Sequence, residues 1–426
     1  MYPKNLPVTN LQLNNGGIFV LDIKNIRKDF PILNQKIYGH DLIYLDNAAT
    51  TQLPTVVIND IVRHYTEENS NVHRGIHFLS ERSTERMEET RSLVSKFLNA
   101  DENGVIVFTS GATDSSNLVA QSYLKHRLHP GDVVLASELE HHSNFVVWQQ
   151  LCKECGAEFK VIPTIDGEID MDAYRAMLNE NVCFVAITLV SNVTGTVVDV
   201  DEIAAEAHKH GAVVYVDSAQ GMRHKKIDLS KQDWDFVGFS AHKMMGPTGV
   251  GCLYIKNSLK NKMHPYRYGG GMVDIVENED TSFADVPSVL EAGTPNYSSI
   301  IAFGRAVEYI NSIGLENIIE YESLLTEKLS DVLGSFPEVK ILGTPRHRAG
   351  AVSFLVDKAH PYDIASILDK YGVALRSGSM CAQPILRKMG TDSVLRVSPA
   401  FYNTEEEIEN FAIYLRKAID FIKKYN

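Results

Sequence analysis

From residue 105 to residue 256, short apolar runs alternate with longer segments in which apolar residues recur at helical spacing. The runs carry few polar residues, as strands covered on both faces do, and they occupy residues 105–108, 133–137, 159–163, 183–190, 212–217 and 235–240. Segments 144–156 and 200–211 lie between runs and end in glycine, a common helix terminator. The run 251–256 follows its predecessor too closely for a helical crossover, so we expect an antiparallel return. The pattern predicts an α/β fold around a mostly parallel sheet.

The pattern changes near residue 310 to long charged helices, at 316–333 and 404–425, with short strands at 351–356 and 395–400. Thr404 and Glu407 mark a helix start, since each side chain can accept a hydrogen bond from the other's backbone N–H. A chain of 426 residues exceeds what one core usually supports. We therefore expect a large domain at 41–309, a smaller C-terminal α/β domain at 310–426, and an N-terminal segment, 1–40, packed with the small domain.

Composition narrows the possible partners. With 54 acidic and 41 basic residues the net charge is −13, which argues against a nucleic-acid partner held through phosphates. Five cysteines are an odd number without the density of a disulfide framework and indicate a reducing cytoplasm. The N-terminus lacks the basic and apolar regions of a signal peptide, and polar residues interrupt the longest uncharged stretch, 181–198. We expect a cytoplasmic protein with no membrane partner.

Candidate chemical groups follow three of the predicted strands, whose carboxyl ends meet at one edge of a parallel sheet. Thr113 lies at a helix start that suits a phosphate, Asp217 ends its strand, and Lys243 follows the run 235–240. Pyridoxal phosphate requires an anion site, a carboxylate for its ring nitrogen and a lysine that forms an imine. Taken alone, Lys243 could be a solvated loop residue. Asp217 alone also fits the magnesium-binding strand of a phosphate-loop ATPase, but such a site needs a lysine-containing phosphate loop, which this chain lacks. Together the three residues predict a pyridoxal phosphate site.

Seven motifs then carry a resemblance over nearly the whole chain, from LDNAAT to AFYNTEEE: NVHRGIHFLS, EHHSN, SNVTGT, VDSAQ, SAHKMMGPTGVG, EAGTPN and RSGSMCAQP. In this order and spacing the sequence resembles the class V aminotransferase-like enzymes of fold-type I, and among them the group II, SufS-like cysteine desulfurases. The resemblance implies a large domain with a mostly parallel seven-stranded sheet flanked by helices, plus a smaller C-terminal α/β domain. It also implies pyridoxal 5′-phosphate as cofactor and a homodimer.

The resemblance assigns the cofactor contacts residue by residue. Lys243 would form the imine, Asp217 would face the ring nitrogen, and His141 would stack on the ring and take part in catalysis. Gln220 would meet the phenolic oxygen. The phosphate would be held by Ala112, Thr113, Ser240 and His242, with Thr294 supplied by the neighbouring subunit. The two adjacent histidines of EHHSN make a poor metal pair, and no metal site is predicted.

The same resemblance implies the reaction. Asn192 and Arg396 would hold the substrate carboxylate, the arginine through a bidentate pair. Cys381 lies in a polar loop, whereas Cys183 and Cys252 lie in apolar runs and are predicted to be core residues. Cys381 would take sulfur from L-cysteine as a persulfide, release L-alanine, and pass the sulfur to an acceptor such as an iron–sulfur scaffold or a sulfur relay protein.

Two departures and several alternatives accompany this interpretation. Bacterial members of the group commonly carry a histidine where Ser379 stands, and Ala112 replaces a hydroxyl residue in the phosphate turn. A selenocysteine lyase, acting on L-selenocysteine, uses the same machinery, and another class V lyase or aminotransferase would not need Cys381. A docking scaffold without catalysis, or a metal- or nucleotide-binding module built on EHHSN and VVYVD, would not need Lys243.

Overall fold

A seven-stranded sheet forms the centre of the computed structural model, which describes residues 11–13 and 19–425. Its strands lie in the order Gly104–Thr109, Gly251–Lys256, Phe236–Ser240, Val213–Asp217, Val182–Thr188, Val133–Ser137 and Glu158–Ile162. Gly251–Lys256 is antiparallel to both of its neighbours, and the remaining pairs are parallel. The predicted sheet and its antiparallel return strand are confirmed.

Both faces of this sheet are buried, because side chains of a strand alternate between its faces. In the strand Val213–Asp217, Val214 and Val216 belong to one core cluster, whereas Tyr215 belongs to a second cluster on the opposite face. Trp148 packs against Tyr215 and Phe184 in that second cluster, with ring centroids 5.3 and 4.8 Å away. The apolar runs of the sequence are therefore the interior of a three-layer arrangement.

Helices cover the sheet, and one of them ends at the glycine predicted from the sequence. Val146–Cys155 ends at Gly156, which adopts the left-handed φ of 74° that suits glycine. Val200–Lys209 begins at Asp199, whose side chain accepts a hydrogen bond from Glu202 N. The other helices around the sheet are Thr55–Arg63, Phe78–Phe97, Ala112–Ser122, Met171–Met177 and Tyr297–Ile313.

A four-stranded antiparallel sheet follows in the C-terminal part, in the order Val339–Ile341, Val352–Val356, Val394–Val397 and Arg376–Gly378. The helices Leu315–Gly334, Pro361–Asp369 and Glu405–Tyr425 contribute to its separate core. Thr404 Oγ1 accepts from Glu407 N at 3.1 Å and Glu407 Oε2 accepts from Thr404 N at 3.0 Å, which confirms the predicted helix start. Residue 310 lies inside the helix Tyr297–Ile313, and the domain limits stay a prediction.

The described part of the N-terminal segment touches the C-terminal helix. Arg27 donates to Tyr402 O and to Glu407 Oε1, both at 2.8 Å, and the Phe30 ring lies 4.4 Å from that of Tyr402. Residues 1–10 and 14–18 of the predicted segment lie outside the described residues. The packing expected for residues 1–40 as a whole therefore stays a prediction.

The remaining α-helices and strands are short. They are the helices Ile23–Ile26, Asn257–Lys260 and Gln383–Lys388, and the strands Leu11–Leu13, Phe19–Leu21, Lys36–Ile37, His40–Asp41, Ile43–Tyr44, Thr164–Ile165, Glu168–Ile169, Val273–Val276, Thr281–Phe283 and Val373–Ala374. Ile43–Tyr44 pairs in parallel with Val373–Ala374 and so joins the two parts of the chain. No helix in the described ranges is both long enough and apolar enough to cross a membrane.

Candidate active site

A cavity of about 420 Å³ opens where the carboxyl ends of the large sheet's strands meet the loop after Arg376–Gly378. It brings together all the residues nominated from the sequence except Thr294: Ala112, Thr113, His141, Asn192, Asp217, Gln220, Ser240, His242, Lys243, Cys381 and Arg396. Ser379, at the position of the family histidine, also lines it. Ser143 and Arg376 are among the further lining residues that the sequence analysis did not single out.

Lys243 ends a short helical turn, Ala241–Lys243, directly after the strand Phe236–Ser240. The turn is fastened by Thr51, whose Oγ1 donates to His242 O at 3.0 Å and accepts from Met245 N at 2.8 Å. Burial lowers the pKa of Lys243 to about 8, although the charge of Asp217 opposes the shift. A large fraction of the amine is therefore neutral near pH 8 and able to attack a carbonyl or accept a proton.

Asp217 ends the strand Val213–Asp217 and is almost fully buried. Its Oδ1 accepts a hydrogen bond from Ala219 N at 2.9 Å. Burial raises the pKa of Asp217, and the Ala219 N–H and the Lys243 charge oppose the rise. A buried carboxylate of this kind is stabilised by a cationic partner, which a protonated ring nitrogen provides.

His141 is held in one tautomer by Ser143, two residues further along the same turn. Ser143 N lies 3.1 Å from His141 Nδ1, and because a backbone N–H can only donate, Nδ1 accepts and the ring proton lies on Nε2. Burial, followed by the charge of Lys243, lowers the pKa of His141 to about 3. The imidazole is therefore neutral, which suits a ring that stacks on a flat cofactor.

Glu140 is another residue that sequence reasoning did not single out, although it precedes His141 in EHHSN. Its fully buried carboxyl accepts from Ser137 Oγ at 2.5 Å, Asn144 Nδ2 at 2.6 Å and Thr188 N at 3.0 Å. Burial raises the pKa of Glu140 to about 8. These contacts tie the turn that carries His141 to the neighbouring strand Val182–Thr188.

One end of the cavity is formed by the start of the helix Ala112–Ser122, where free N–H groups and the helix dipole favour an anion. Ala112 N donates to Ser240 Oγ at 2.8 Å. Gly111 precedes it with a φ of 150°, and a Cβ there would lie 3.3 Å from the same Ser240 Oγ. Burial, followed by the Lys243 charge, lowers the pKa of His242 to about 4, so this ring is also neutral near pH 7.

The cavity is also lined by two arginines that share Asp46, a residue of the LDNAAT motif that the sequence analysis did not single out. Arg396 donates through Nη2 to Asp46 Oδ1 at 3.1 Å and through Nη1 to Asn192 O at 3.0 Å. Arg376 Nη2 donates to Asp46 Oδ2 at 3.0 Å. Arg396 Nε and Asn192 Oδ1 are buried without a hydrogen-bond partner in the described residues. The Nε–H of Arg396 therefore remains available as a donor to a ligand carboxylate.

Cys381 projects from a strained loop, because both it and Met380 adopt left-handed φ values, 51° and 52°. Two contacts fasten the loop: Asn192 Nδ2 donates to Met380 O at 2.8 Å, and His142 N donates to Cys381 O at 2.7 Å. Of the five cysteines, all of which the structure describes, Cys381 alone is exposed. Its thiol is accessible in the cavity.

The other cysteines lie away from this cavity. Cys252 is buried as predicted, whereas Cys183 is half-buried at the edge of a core cluster, because it stands at the amino end of its strand. Burial raises the pKa of Cys152 and Cys183 to about 12. A thiol with so high a pKa is a poor nucleophile.

Thr294 lies in a different surface cavity, of about 200 Å³, beside Ser110 and Asn296. It therefore does not take part in the site of its own chain. The prediction that it reaches the phosphate of a neighbouring subunit stays a prediction.

The cavity as a whole fits pyridoxal phosphate and an amino acid. Cationic side chains, Lys243, Arg376 and Arg396, outnumber the single lining carboxylate of Asp217, so the cavity favours anions. The helix start suits a phosphate, and the unpartnered Nε of Arg396 suits a substrate carboxylate. Across the described ranges, no three His, Cys, Asp or Glu residues cluster in a way that could hold a metal ion.

Comparison with known proteins identifies the family. The profile of the family described as aminotransferase class-V matches residues 43–411. A cysteine desulfurase of Cronobacter sakazakii is 43% identical over 389 residues, which cover 91% of this chain and 96% of that relative. A cysteine desulfurase of Synechococcus elongatus is 41% identical over 405 residues, which cover 95% of this chain and 65% of the relative's longer sequence. The chain belongs to the aminotransferase class-V family, among its cysteine desulfurases.

The solved structures agree with this family membership. The crystal structure of the cysteine desulfurase CsdA from Escherichia coli superposes with a TM-score of 0.87 at 33% identity, covering 94% of this chain and 99% of that one. The class-V chain therefore has the predicted fold-type I architecture. Pyridoxal 5′-phosphate is the cofactor of this family, and the cavity contains a lysine, a carboxylate and a helix start of the kind that this cofactor requires.

Proposed function

We propose that the protein is a cysteine desulfurase that transfers the sulfur of L-cysteine to Cys381 and releases L-alanine. One observation carries the proposal: the exposed Cys381 opens into the same cavity as Lys243 and Asp217. A lyase or aminotransferase reaction, as in the predicted alternatives, needs no nucleophilic thiol at that position. The cysteine desulfurase name of the relatives also favours this activity over a selenocysteine lyase.

The proposed roles of the residues follow from their positions. Bound pyridoxal phosphate supplies a carbonyl carbon for the substrate amine and a ring that accepts electrons from Cα. Arg396 and Asn192, which contact each other in the lining of the cavity, orient the substrate carboxylate. Lys243 holds the cofactor between turnovers, and its amine, neutral in large part near pH 8, removes the Cα proton.

Cys381 completes the reaction. Its thiolate attacks the substrate sulfur, so that an S–S bond forms as the substrate Cβ–S bond breaks. The sulfur remains on Cys381 as a persulfide, and the carbon skeleton leaves as L-alanine after protonation at Cβ. Because Cys381 itself is exposed, an acceptor protein can reach the persulfide from outside.

The activity is tested by measuring alanine and sulfide release from L-cysteine in the presence of a thiol reductant. At equal cofactor occupancy, Cys381→Ala should lose nearly all of both products while keeping bound cofactor. Cys155→Ala is the matched control, since Cys155 is a half-buried helical thiol that does not line the cavity. Full product release by Cys381→Ala would contradict the proposal and indicate a thiol-independent lyase.

The finer assignment is also a proposal: a SufS-like enzyme that forms a homodimer in the cytoplasm and delivers sulfur for iron–sulfur cluster assembly. The seven sequence motifs support the subgroup. Thr294 lies outside the cavity of its own chain, and Ile76 and Phe78 are 95% and 76% exposed, as residues of a dimer interface are in an isolated chain. Five unpaired thiols support a reducing compartment.

Sedimentation of the cofactor-loaded protein tests the dimer. We expect a dimer at micromolar concentration, and Ile76→Asp with Phe78→Asp should shift it toward monomer and weaken cofactor retention. Ile165→Asp is the control, because Ile165 is also exposed but lies in a separate surface cavity. A fully loaded, active monomer would refute both the dimer and the proposed role of Thr294.

A further inference from the structure

Arg223 is a buried cation that does not line the active-site cavity but contacts Lys243, which does. It ends the short helical turn Gly221–Arg223, and its side chain is 3% exposed. Its Nε donates to the backbone oxygen of Lys243 at 2.8 Å. This is a charge-assisted hydrogen bond shielded from solvent, and it restrains the peptide group that follows Lys243.

Glu322 holds Arg223 in place from the C-terminal part of the chain. It lies on the helix Leu315–Gly334, its side chain is 1% exposed, and its Oε1 forms an ion pair with Arg223 Nη1. The same Oε1 accepts from Phe401 N at 3.0 Å, and Oε2 lies 2.9 Å from His224 Nδ1. Because Oε1 accepts from both Phe401 N and Arg223 and the ion pair is buried, rotation of the guanidinium would leave the two charges unpaired, so its orientation is fixed.

The peptide group on the other side of Lys243 is restrained independently. Thr51 donates through Oγ1 to His242 O at 3.0 Å, and its backbone N donates to the same oxygen at 2.9 Å. Lys243 therefore stands between two fixed carbonyls, one held by Thr51 and the other by Arg223. Only its side chain is left to move between the cofactor and the substrate.

We propose that Arg223, oriented by Glu322, is a positioning residue that fixes the backbone of Lys243 so that its amine is aimed at the cofactor and at the substrate Cα. This inference rests on the proposed role of Lys243. It also makes the helix Leu315–Gly334 part of the support of the active site, although no residue of that helix lines the cavity in the part of the chain that the structure describes.

Two variants separate positioning from stability. Arg223→Lys keeps a cation beside Glu322 but cannot contact Glu322 and Lys243 O together with the planar geometry of a guanidinium. The double variant Arg223→Met with Glu322→Gln removes the pair without leaving a lone buried charge, which limits the loss of stability. Arg86→Met is the control, because Arg86 is a buried arginine paired at 2.6 Å with Asp60, and neither residue lines the active-site cavity.

For both test variants we expect kcat to fall about tenfold to a hundredfold, as for a misplacement of about 1 Å, with KM for L-cysteine nearly unchanged. The pH midpoint of the bound cofactor's visible absorbance should also move, because the amine that forms the link changes its surroundings. Arg86→Met should lower the melting temperature but leave kcat and the absorbance midpoint as in the wild type.

The outcomes distinguish the inference from the function on which it rests. Borohydride reduction followed by peptide mass analysis shows whether the cofactor is attached to Lys243 in each protein. Attachment elsewhere in the wild type would overturn the proposed role of Lys243. Attachment to Lys243 in every protein, with kcat and absorbance midpoint unchanged in both Arg223 variants, would overturn the positioning role alone.

Discussion

Asn192 fastens the loop of Cys381 by a single side-chain hydrogen bond, in which its Nδ2 donates to Met380 O over 2.8 Å. The loop needs such a contact, because two consecutive residues, Met380 and Cys381, are held at left-handed φ values that cost free energy. Asn192 thus connects the proposed carboxylate-binding end of the cavity to the nucleophile.

Removal of this hydrogen bond should loosen the loop. Asn192→Ala is expected to speed alkylation of Cys381 by iodoacetamide about fivefold in cofactor-free protein, since a bond worth about 1 kcal/mol changes a local opening equilibrium by that factor. Mass analysis of the Cys381 peptide over time measures the rate. Asn179→Ala is the control, because the side chain of Asn179 bonds to Met177 O and Asn181 N, away from the cavity. Equal rates in all three proteins would show that the bond does not restrain the loop.

The geometry of Arg396 should matter more than its charge. Arg396→Lys is expected to raise KM for L-cysteine by about tenfold or more, because an ammonium group cannot form the bidentate pair with a carboxylate. Arg376→Lys is the comparison: Arg376 shares Asp46 with Arg396 but is about half exposed, so its replacement should change KM much less. Steady-state kinetics give both values, and equal effects would argue against Arg396 as the specific carboxylate ligand.

The site residues that could be predicted from the sequence are those that directly follow a recognisable strand or helix signal. Asp217 and Lys243 follow apolar runs, and the carboxyl ends of parallel strands converge, so their positions along the chain predicted their proximity. The residue roles themselves came from the resemblance and not from spacing. The helix start at Thr404 was visible for the same local reason.

The residues that were missed depend on partners far along the chain. Asp46 is 350 residues from Arg396, and Glu322 is 99 residues from Arg223. Asp46 meets Arg396 because it forms a parallel bridge with Ser398, a contact between the two parts of the chain. Neither the hydrophobic periodicity nor a motif within one segment indicates an ion pair between distant segments. In the sequence, Asp46 and Glu322 therefore cannot be told from ordinary charged surface residues.

The lowered pKa of Lys243 should be visible without turnover. In cofactor-free protein, acetylation of Lys243 by acetic anhydride should rise with a midpoint near pH 8, because the reagent attacks only the neutral amine. Asp217→Asn should move the midpoint to lower pH, since the Asp217 charge favours the protonated amine. Peptide mass analysis measures the reaction, with the exposed Lys153 as internal reference. A midpoint that stays the same in Asp217→Asn would show that the two side chains do not interact.

His141 should make the cofactor-free protein less stable in acid. The unfolded imidazole binds a proton below its usual pKa of 6.5, whereas in the folded chain burial, followed by the Lys243 charge, lowers the pKa to about 3. The unfolded state therefore takes up more protons as the pH falls from 6.5 toward 3, and the free energy of unfolding declines by up to about 1.4 kcal/mol per pH unit from this group.

Replacement of His141 should remove its contribution to the decline in the free energy of unfolding between pH 6.5 and pH 3. Urea unfolding of the cofactor-free protein at pH 6.5 and pH 4.5 is expected to show a smaller drop in the free energy of unfolding for His141→Asn than for the wild type. His210→Asn is the control, since His210 is exposed and lies outside the cavity. If His141→Asn and the wild type lost the same free energy between these pH values, His141 would titrate alike in both states. The neutral imidazole required for stacking on the cofactor would then lack support.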